Sequence, residues 1–202
     1  EELAREITAA GGPPPLLARV DLMEPDGPQK LAREAIAGLG QVNILVNAAG
    51  GGDGGNWLEA PDQEWVDAMT FNFTQLRRLT LAVVPDMIKH QWGRIINVTS
   101  ISALAGNPGQ VNYSAAKGAL NAATKSLARE VASRGITVNA VAPGIIDTAM
   151  SHGAFDTQAI KTMVPMKRAG TPAEVAELVG FLASGRAAYI TGQVISINGG
   201  MI

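Results

Sequence analysis

Tyr113 and Lys117 stand four residues apart in the run Tyr113-Ser114-Ala115-Ala116-Lys117. On a helix that spacing puts both side chains on one face, one turn apart. A free phenol titrates near ~10, too high for ready proton transfer at neutral pH. A neighbouring ammonium favours the phenolate and lowers that value. General acid/base chemistry requires tuning of this kind. The pair alone also fits a surface Tyr and Lys at helical spacing by chance. Ser100 lies thirteen residues before Tyr113, just past the apolar run Ile95-Ile96-Asn97-Val98. A hydroxyl there can donate to a carbonyl oxygen that the phenol protonates. Ser102 competes for this place, and Ser100 is preferred.

Other chemistries find little support. His90 and His152 are the only histidines, each is solitary, and the chain has no cysteine. No H-E-x-x-H, G-x-S-x-G or Cys/His cluster is present, so neither a metal centre nor a Ser-His-Asp hydrolase is expected. Gly50-Gly51-Gly52-Asp53-Gly54-Gly55 satisfies G-x-G-x-x-G and follows an apolar run. That fingerprint needs a helix opening directly at the turn. Here Asn56 to Ala60 intervene before Pro61, a good first helical residue. The glycines read as a flexible loop at the mouth of a site, where Gly51 through Gly55 admit a substrate closely. Residues 150–166 carry Met150, Phe155, Met163 and Met166 among polar neighbours with little regular pattern. They read as a surface loop or a lid over an apolar substrate.

Helical and strand patterns alternate around these residues. Helical spacing is expected over 1–10, 29–39, 61–90 in two pieces, 111–133 and 172–183. Strands are expected over 16–22, 42–46, 94–98, 136–141 and 194–197. Alternation of this kind implies right-handed βαβ units and a parallel sheet. Ile44-Leu45-Val46 and Ile95-Ile96 are apolar on consecutive residues, the pattern of strands covered on both faces. The expected fold is α/β, one doubly wound Rossmann-like domain over 1–202. Ligands on such sheets bind beyond the C-terminal strand ends. Those ends carry Asp21, Asn47, Ser100 and Pro143-Gly144.

Composition agrees with a packed enzyme-sized domain. Of 202 residues, 47% are hydrophobic and 17% charged, with a formal charge of −2. There is no basic surplus to suggest nucleic acid or a membrane surface. No apolar run approaches the ~20 residues that span a bilayer. A cysteine-free chain is compatible with a reducing, cytoplasmic setting.

Together these residues resemble the classical short-chain dehydrogenase/reductases, and among them the 3-oxoacyl-[acyl-carrier-protein] reductase branch. The resemblance runs from Glu1 to Ile202. It rests on Asn47-Ala48-Ala49-Gly50, in which Ala48 replaces the second Asn of the family's motif. It rests also on Ser100, Tyr113 and Lys117, on Asn72 within Phe71-Asn72-Phe73, and on Pro143-Gly144-Ile145-Ile146-Asp147-Thr148. The C-terminal runs Ala187-Ala188-Tyr189-Ile190-Thr191-Gly192 and Asn198-Gly199-Gly200 complete it.

The resemblance implies an NAD(P)-dependent oxidoreductase that moves a hydride between the nicotinamide and a carbonyl or alcohol, with NADP slightly favoured. Tyr113 is then the acid/base. Lys117 lowers its pKa and holds the nicotinamide ribose. Ser100 orients the substrate oxygen, and Asn72 holds a water that links Lys117 to solvent. Asp21 meets the adenine, with the Leu22 backbone beside it. Asn47, Ala48, Ala49 and Gly50 line the cofactor cleft, with Asn47 against the ribose. Pro143 and Gly144 belong to the cofactor site, the Ile146 backbone holds the carboxamide, and Thr148 sits near the carboxamide or the pyrophosphate. Bland readings remain for two of these: Asp21 as a loop cap, and Asn72 as a satisfied core amide. The family opens with a strand, a Gly-rich turn and a helix whose N-terminus receives the pyrophosphate. Nothing before Glu1 supplies these, so some tens of upstream residues are expected. The resemblance also implies pairing through residues 71–90 and 111–133, giving a homodimer or homotetramer. Ala115, Ala119, Ala122, Ala123 and Ala132 would permit such close contact. The alternative function is a non-catalytic nucleotide-binding or scaffold subunit that keeps the fold.

Overall fold

The computed structural model of the chain describes residues 2–52, 55–148 and 156–202. Its centre is a four-stranded sheet, β1 (Ile44–Asn47), β2 (Gly93–Val98), β3 (Ile136–Pro143) and β4 (Val194–Ile197), in that spatial order. All three pairings are parallel, with Asn47 opposite Asn97 and Val98 opposite Val141. Parallel neighbours require crossover connections, and helices provide them.

Strand parity sends alternate side chains into two cores. Ile95 and Val138 pack with residues of α2 (Gly27–Leu39), α4 (Gln75–His90) and α6 (Val111–Val131). Ile96 and Val141 pack on the opposite face with Leu182 of α8 (Pro172–Ala183). Helices on both faces make this the expected doubly wound α/β fold. Ile95 and Ile96 are both 1% exposed, as their consecutive apolar pattern demands. β1 departs from that pattern. Ile44 is 46% and Val46 41% exposed, because β1 is the last strand at its side of the sheet and one of its faces is uncovered.

Local chemistry explains most helix ends. Pro28 lies in the first turn of α2, and the Gly40 N–H closes its other end on the Ile36 carbonyl. Thr171 and Glu174 form a reciprocal capping box on α8, with Pro172 as its first residue. Gly135, which leads into β3, has φ +70°. A Cβ there would come within 2.3 Å of the Gln91 carbonyl oxygen, so only glycine fits.

Two further expectations are corrected. Residues 16–22 form no strand, and Leu16 and Leu17 are 50% and 58% exposed. No described strand lies alongside them, and a lone extended segment gains no ladder hydrogen bonds. Part of the irregular 150–166 stretch is helix α7 (Thr157–Met163), capped by the Asp156 carboxylate, which accepts from the Ala159 N–H at 2.6 Å. Met150, His152 and Phe155 lie outside the described residues. The helix expected over 61–90 is divided, as the sequence suggests, into α3 (Asp62–Met69) and α4. The joint is a single π-helical segment, Thr70–Thr74. The remaining short helices are α1 (Glu2–Ala9) and α5 (Ser102–Ala105).

Candidate active site

The first turn of α6 and the C-terminal end of β2 meet at the rim of the sheet. Ser100 is carried there by an extension of the β2–β3 ladder. The N–H of Thr99 donates to the Val141 carbonyl at 2.8 Å, and that of Ile101 to the Pro143 carbonyl at 2.9 Å. Ser100 is therefore gripped on both sides. Its hydroxyl is near enough to the Tyr113 side chain to lower the phenol's pKa. The competing Ser102 is engaged elsewhere. Its hydroxyl lies 3.3 Å from Gln110 Oε1, and its N–H donates to Ser100 Oγ at 3.1 Å.

Lys117 is 3% exposed. Its ammonium donates to the Val98 carbonyl at 3.0 Å and lies 5.9 Å from the centre of the Tyr113 ring. Burial depresses the Lys117 pKa from 10.5 to about 8, which leaves the amine mostly charged at neutral pH. Burial pushes the Tyr113 phenol up, and the Ser100 hydroxyl pulls it partly back. The expected net lowering of the phenol is thus not met. Desolvation is the largest influence, and the lowering partner is the hydroxyl of Ser100 rather than the ammonium of Lys117.

Gly50 brings this pair to the third element. A Cβ at Gly50 would fall 2.7 Å from Lys117 Nζ and 2.9 Å from Asn72 Oδ1. Its φ of +151° also disfavours any side chain. Asn72 is completely buried, inside the π-helical segment. Its amide binds Gly51 in both directions: Oδ1 accepts from the Gly51 N–H at 2.8 Å, and Nδ2 donates to the Gly51 carbonyl at 3.0 Å. Nδ2 also donates to the Ala68 carbonyl at 3.0 Å. Gln75 Nε2 donates likewise to the Phe71 carbonyl. Carbonyls that a π-helical step displaces from the ordinary i→i−4 pattern thus find side-chain partners. The Asn72 side chain is a clasp on the glycine loop. Both its amide protons are used within the protein, so a water held by this side chain would donate to Oδ1, which has a second lone pair.

The other expected residues divide. Asn47 is 2% exposed and faces inward. Its Nδ2 donates to Asn97 Oδ1 at 2.8 Å and to Thr80 Oγ1 at 3.2 Å, and Asn97 Nδ2 donates to Thr124 Oγ1 at 2.8 Å. Asn47 is expected against the ribose; its side-chain nitrogen is engaged in a polar chain beneath the sheet, and its Oδ1 is buried without a partner among the described residues. Ala48 is exposed and Ala49 half-buried after β1. Asp21 Oδ1 accepts from the Met23 N–H at 2.8 Å, a local turn of the kind the bland reading foresaw. The chain at Asp21 and Leu22 packs on α2: a Cβ at Gly27 would lie 3.2 Å from the Leu22 Cα. Pro143 ends β3, and the Gly144 N–H donates to the Ile197 carbonyl at 2.9 Å. Ile146 pairs with Gly170 in a parallel bridge, and Thr148 is half-buried beyond it. A cavity of about 90 Å³ lies beside this segment, lined by Ile145, Ile146, Met166, Arg168 and Asn198 among others. Ser100, Tyr113 and Lys117 do not line it.

Two residues escaped the sequence reading. Asn97 interrupts an apolar strand, which is itself a signal for a buried polar contact. Asn112 immediately precedes Tyr113 and is 1% exposed. Its Oδ1 accepts from the N–H groups of both Tyr113, at 2.8 Å, and Gly55, at 3.0 Å.

The described residues hold no group of three His, Asp or Glu able to bind a metal ion. None of their helices is long and apolar enough to cross a membrane. The residues present suit the ribose end of a nicotinamide nucleotide. A glycine corner that a Cβ would fill lies against an amine at the C-terminal rim of a parallel sheet, the general ligand position for such folds.

Known proteins agree with this geometry. The family model described as enoyl-(acyl carrier protein) reductase matches residues 1–202. The 3-oxoacyl-[acyl-carrier-protein] reductase FabG of Vibrio cholerae is 45% identical over 184 residues, covering 90% of this chain and 75% of the relative. The enzyme of the same name from Escherichia coli is also 45% identical, with the same coverage. Nodulation protein G of Rhizobium meliloti is 46% identical over 183 residues, again covering 90% and 75%. On fold, motif and relatives alike, the chain belongs to the short-chain dehydrogenase/reductase family of NAD(P)-dependent oxidoreductases.

Proposed function

We propose that the chain reduces the ketone of a 3-oxoacyl thioester, or a similar ketone, and runs the reverse oxidation of the alcohol. The observation that carries this reading is the placement of the Ser100 hydroxyl where it lowers the Tyr113 phenol, with the Lys117 amine one helical turn along and 5.9 Å from the ring centre. The bound nicotinamide supplies the hydride. Ser100 donates to the substrate oxygen and positions it. Tyr113 gives its phenolic proton to that oxygen as negative charge develops on it, and retrieves a proton in the reverse direction. A phenol raised by burial stays protonated at neutral pH, which suits the reductive direction. Lys117 holds the cofactor ribose and keeps a positive charge near the phenol. Gly50, Ala48 and Ala49 line the cleft, and Pro143, Gly144, Ile146 and Thr148 hold its far end. Asp21 and Leu22 meet the adenine.

The names of the relatives support an acyl-carrier-protein thioester as substrate. The family resemblance slightly favours NADP over NAD. Pairing of two subunits through α4 and α6 draws support from Leu81, 63% exposed on α4, and from the exposed Ala115 and Ala122 of α6. A cytoplasmic setting follows from the same reading.

The test is spectrophotometric. NADH or NADPH is supplied with a panel of 3-oxoacyl thioesters, simple ketones and quinones, and oxidation of the cofactor is followed. Turnover of a 3-oxoacyl thioester with NADPH, at a rate well above that of the other pairs, is the expected result. Binding of the cofactor with no turnover of any member would point instead to a nucleotide-binding subunit.

A further inference from the structure

The glycine loop is held at both ends by asparagines, and the second belongs to the helix that carries the phenol. At Gly51 both backbone groups are taken by the Asn72 side chain. At Gly55 both are taken by the first turn of α6. The Gly55 N–H donates to Asn112 Oδ1 at 3.0 Å, and its carbonyl accepts from the Val111 N–H at 3.1 Å. The same Asn112 Oδ1 accepts from the Tyr113 N–H at 2.8 Å. N–H groups of a first helical turn lack partners within the helix. Here the loop and the asparagine supply partners for two of them.

Space at Gly55 is as constrained as the hydrogen bonding. A Cβ there would meet Ala60 Cβ at 2.7 Å, Asn112 Nδ2 at 3.2 Å and Glu64 Oε2 at 3.3 Å. Asn112 Nδ2 also reaches the Glu64 carbonyl of α3, at 3.5 Å. A single buried amide thus joins the start of the phenol-bearing helix, the end of the glycine loop and α3.

We propose that Asn112 is a positioning residue, whose amide oxygen makes the Tyr113 backbone and the Gly55 end of the glycine loop move as one body. The inference rests on the reading of Tyr113 as the proton donor. It adds a residue that acts through Tyr113 and touches neither substrate nor cofactor. Loss of the clasp leaves the Tyr113 N–H without its acceptor and lets the first turn of α6 shift relative to Ser100. Displacement of a reacting group by ~1 Å can cost about 100-fold in rate.

The experiment compares Asn112→Ala with the unaltered protein and with Tyr113→Phe, using NADPH and an acetoacetyl thioester. Rates are expressed per folded molecule, from a thermal melt of each sample. Asn112→Ala is expected to lower kcat about 10- to 100-fold, with KM for the thioester and affinity for NADPH within about twofold of the unaltered protein. A purely structural asparagine would lower the melting temperature and leave kcat per folded molecule unchanged, and that result overturns the proposal. Should the variant not fold, amide exchange in the unaltered protein decides. The Gly55 and Tyr113 N–H groups should exchange slowly and with matching protection. Free exchange at Gly55 beside a protected Tyr113 overturns the coupling. Full activity of Tyr113→Phe would instead remove the reading of Tyr113 on which the inference stands.

Discussion

The Lys117 ammonium lies 5.9 Å from the centre of the Tyr113 ring while donating at 3.0 Å to the Val98 carbonyl. The lysine is thus tied to the end of β2, and the hydroxyl that lowers the phenol belongs to Ser100, two residues beyond that strand. One strand terminus therefore fixes both polar partners of the tyrosine. The spacing of a helix and the end of a strand converge on a single side chain, and this convergence makes the phenol the natural target for a test.

Tyr113→Phe keeps the ring and removes the proton. Loss of a positioned general acid typically costs about 100- to 10,000-fold in rate. We expect kcat to fall within that range, while thermal stability and NADPH affinity stay close to those of the unaltered protein. A rate within a few-fold of the original would show that another group donates the proton.

Much of this site was legible beforehand because its spacing is local. The Tyr113–Lys117 face follows from helical geometry, and the consecutive apolar residues of β2 place Ser100 at a strand end. Position along a strand says less about side-chain direction unless parity is counted. Asn47 shares its face with Leu45, which packs on the α2, α4 and α6 side. Period-two alternation therefore turns Asn47 beneath the sheet rather than into the cleft. Residues 16–22 misled because a leucine-rich run forms a strand only where a neighbour pairs with it, and no described strand does so here. The clasp by Asn112 joins residues 57 positions apart. Contacts at that separation leave no periodic trace in the sequence. The π-helical joint was visible only as a helix in two pieces, since nothing in Thr70–Thr74 marks an i→i−5 step.

Ser100→Ala removes the hydroxyl that lowers the Tyr113 pKa, and leaves the burial that raises it. The phenol should therefore titrate higher in the variant. Alcohol oxidation needs the phenolate as base, so its rate rises with pH through that titration. The rising limb of kcat against pH for oxidation is expected to move to higher pH in Ser100→Ala. Pre-steady-state or steady-state rates across an alkaline pH series would register the move. An unmoved limb with a lower plateau would mean that Ser100 acts on the substrate oxygen alone.

Lys117 links the site to stability. Its pKa is about 8 in the folded chain against 10.5 as the ordinary value. Below pH 8 both folded and unfolded chains hold the proton. Between pH 8 and 10.5 the unfolded chain binds more protons, so this residue makes stability rise with pH across that window. The full rise is on the order of 3 kcal/mol. Lys117→Met lacks it. Urea unfolding of both proteins at neutral and alkaline pH isolates the effect as a difference between them. The variant should gain relative stability at neutral pH and lose that advantage by the top of the window. A constant difference across the series would mean that the buried amine does not titrate there.

The polar chain beneath the sheet makes a separate prediction, because it touches no reacting group. Asn97 stands between Asn47 and Thr124, accepting from one and donating to the other. It is 5% exposed, and Asn47 opposite it is 2% exposed. Asn97→Ala leaves the Asn47 donor without that acceptor, in a place where water has little access. An unsatisfied buried polar group costs about 1–3 kcal/mol. Thr124 retains a bond to the Leu120 carbonyl at 2.8 Å, so its hydroxyl loses less. The urea midpoint of Asn97→Ala should fall accordingly, with an unchanged slope if the unfolded state is unaltered. Because Thr99 and Ile101, on either side of Ser100, are held by the Val141 and Pro143 carbonyls and Lys117 by that of Val98, kcat per folded molecule should stay within a few-fold. A large loss of kcat with stability intact would place this chain in the catalytic machinery rather than in the support beneath it.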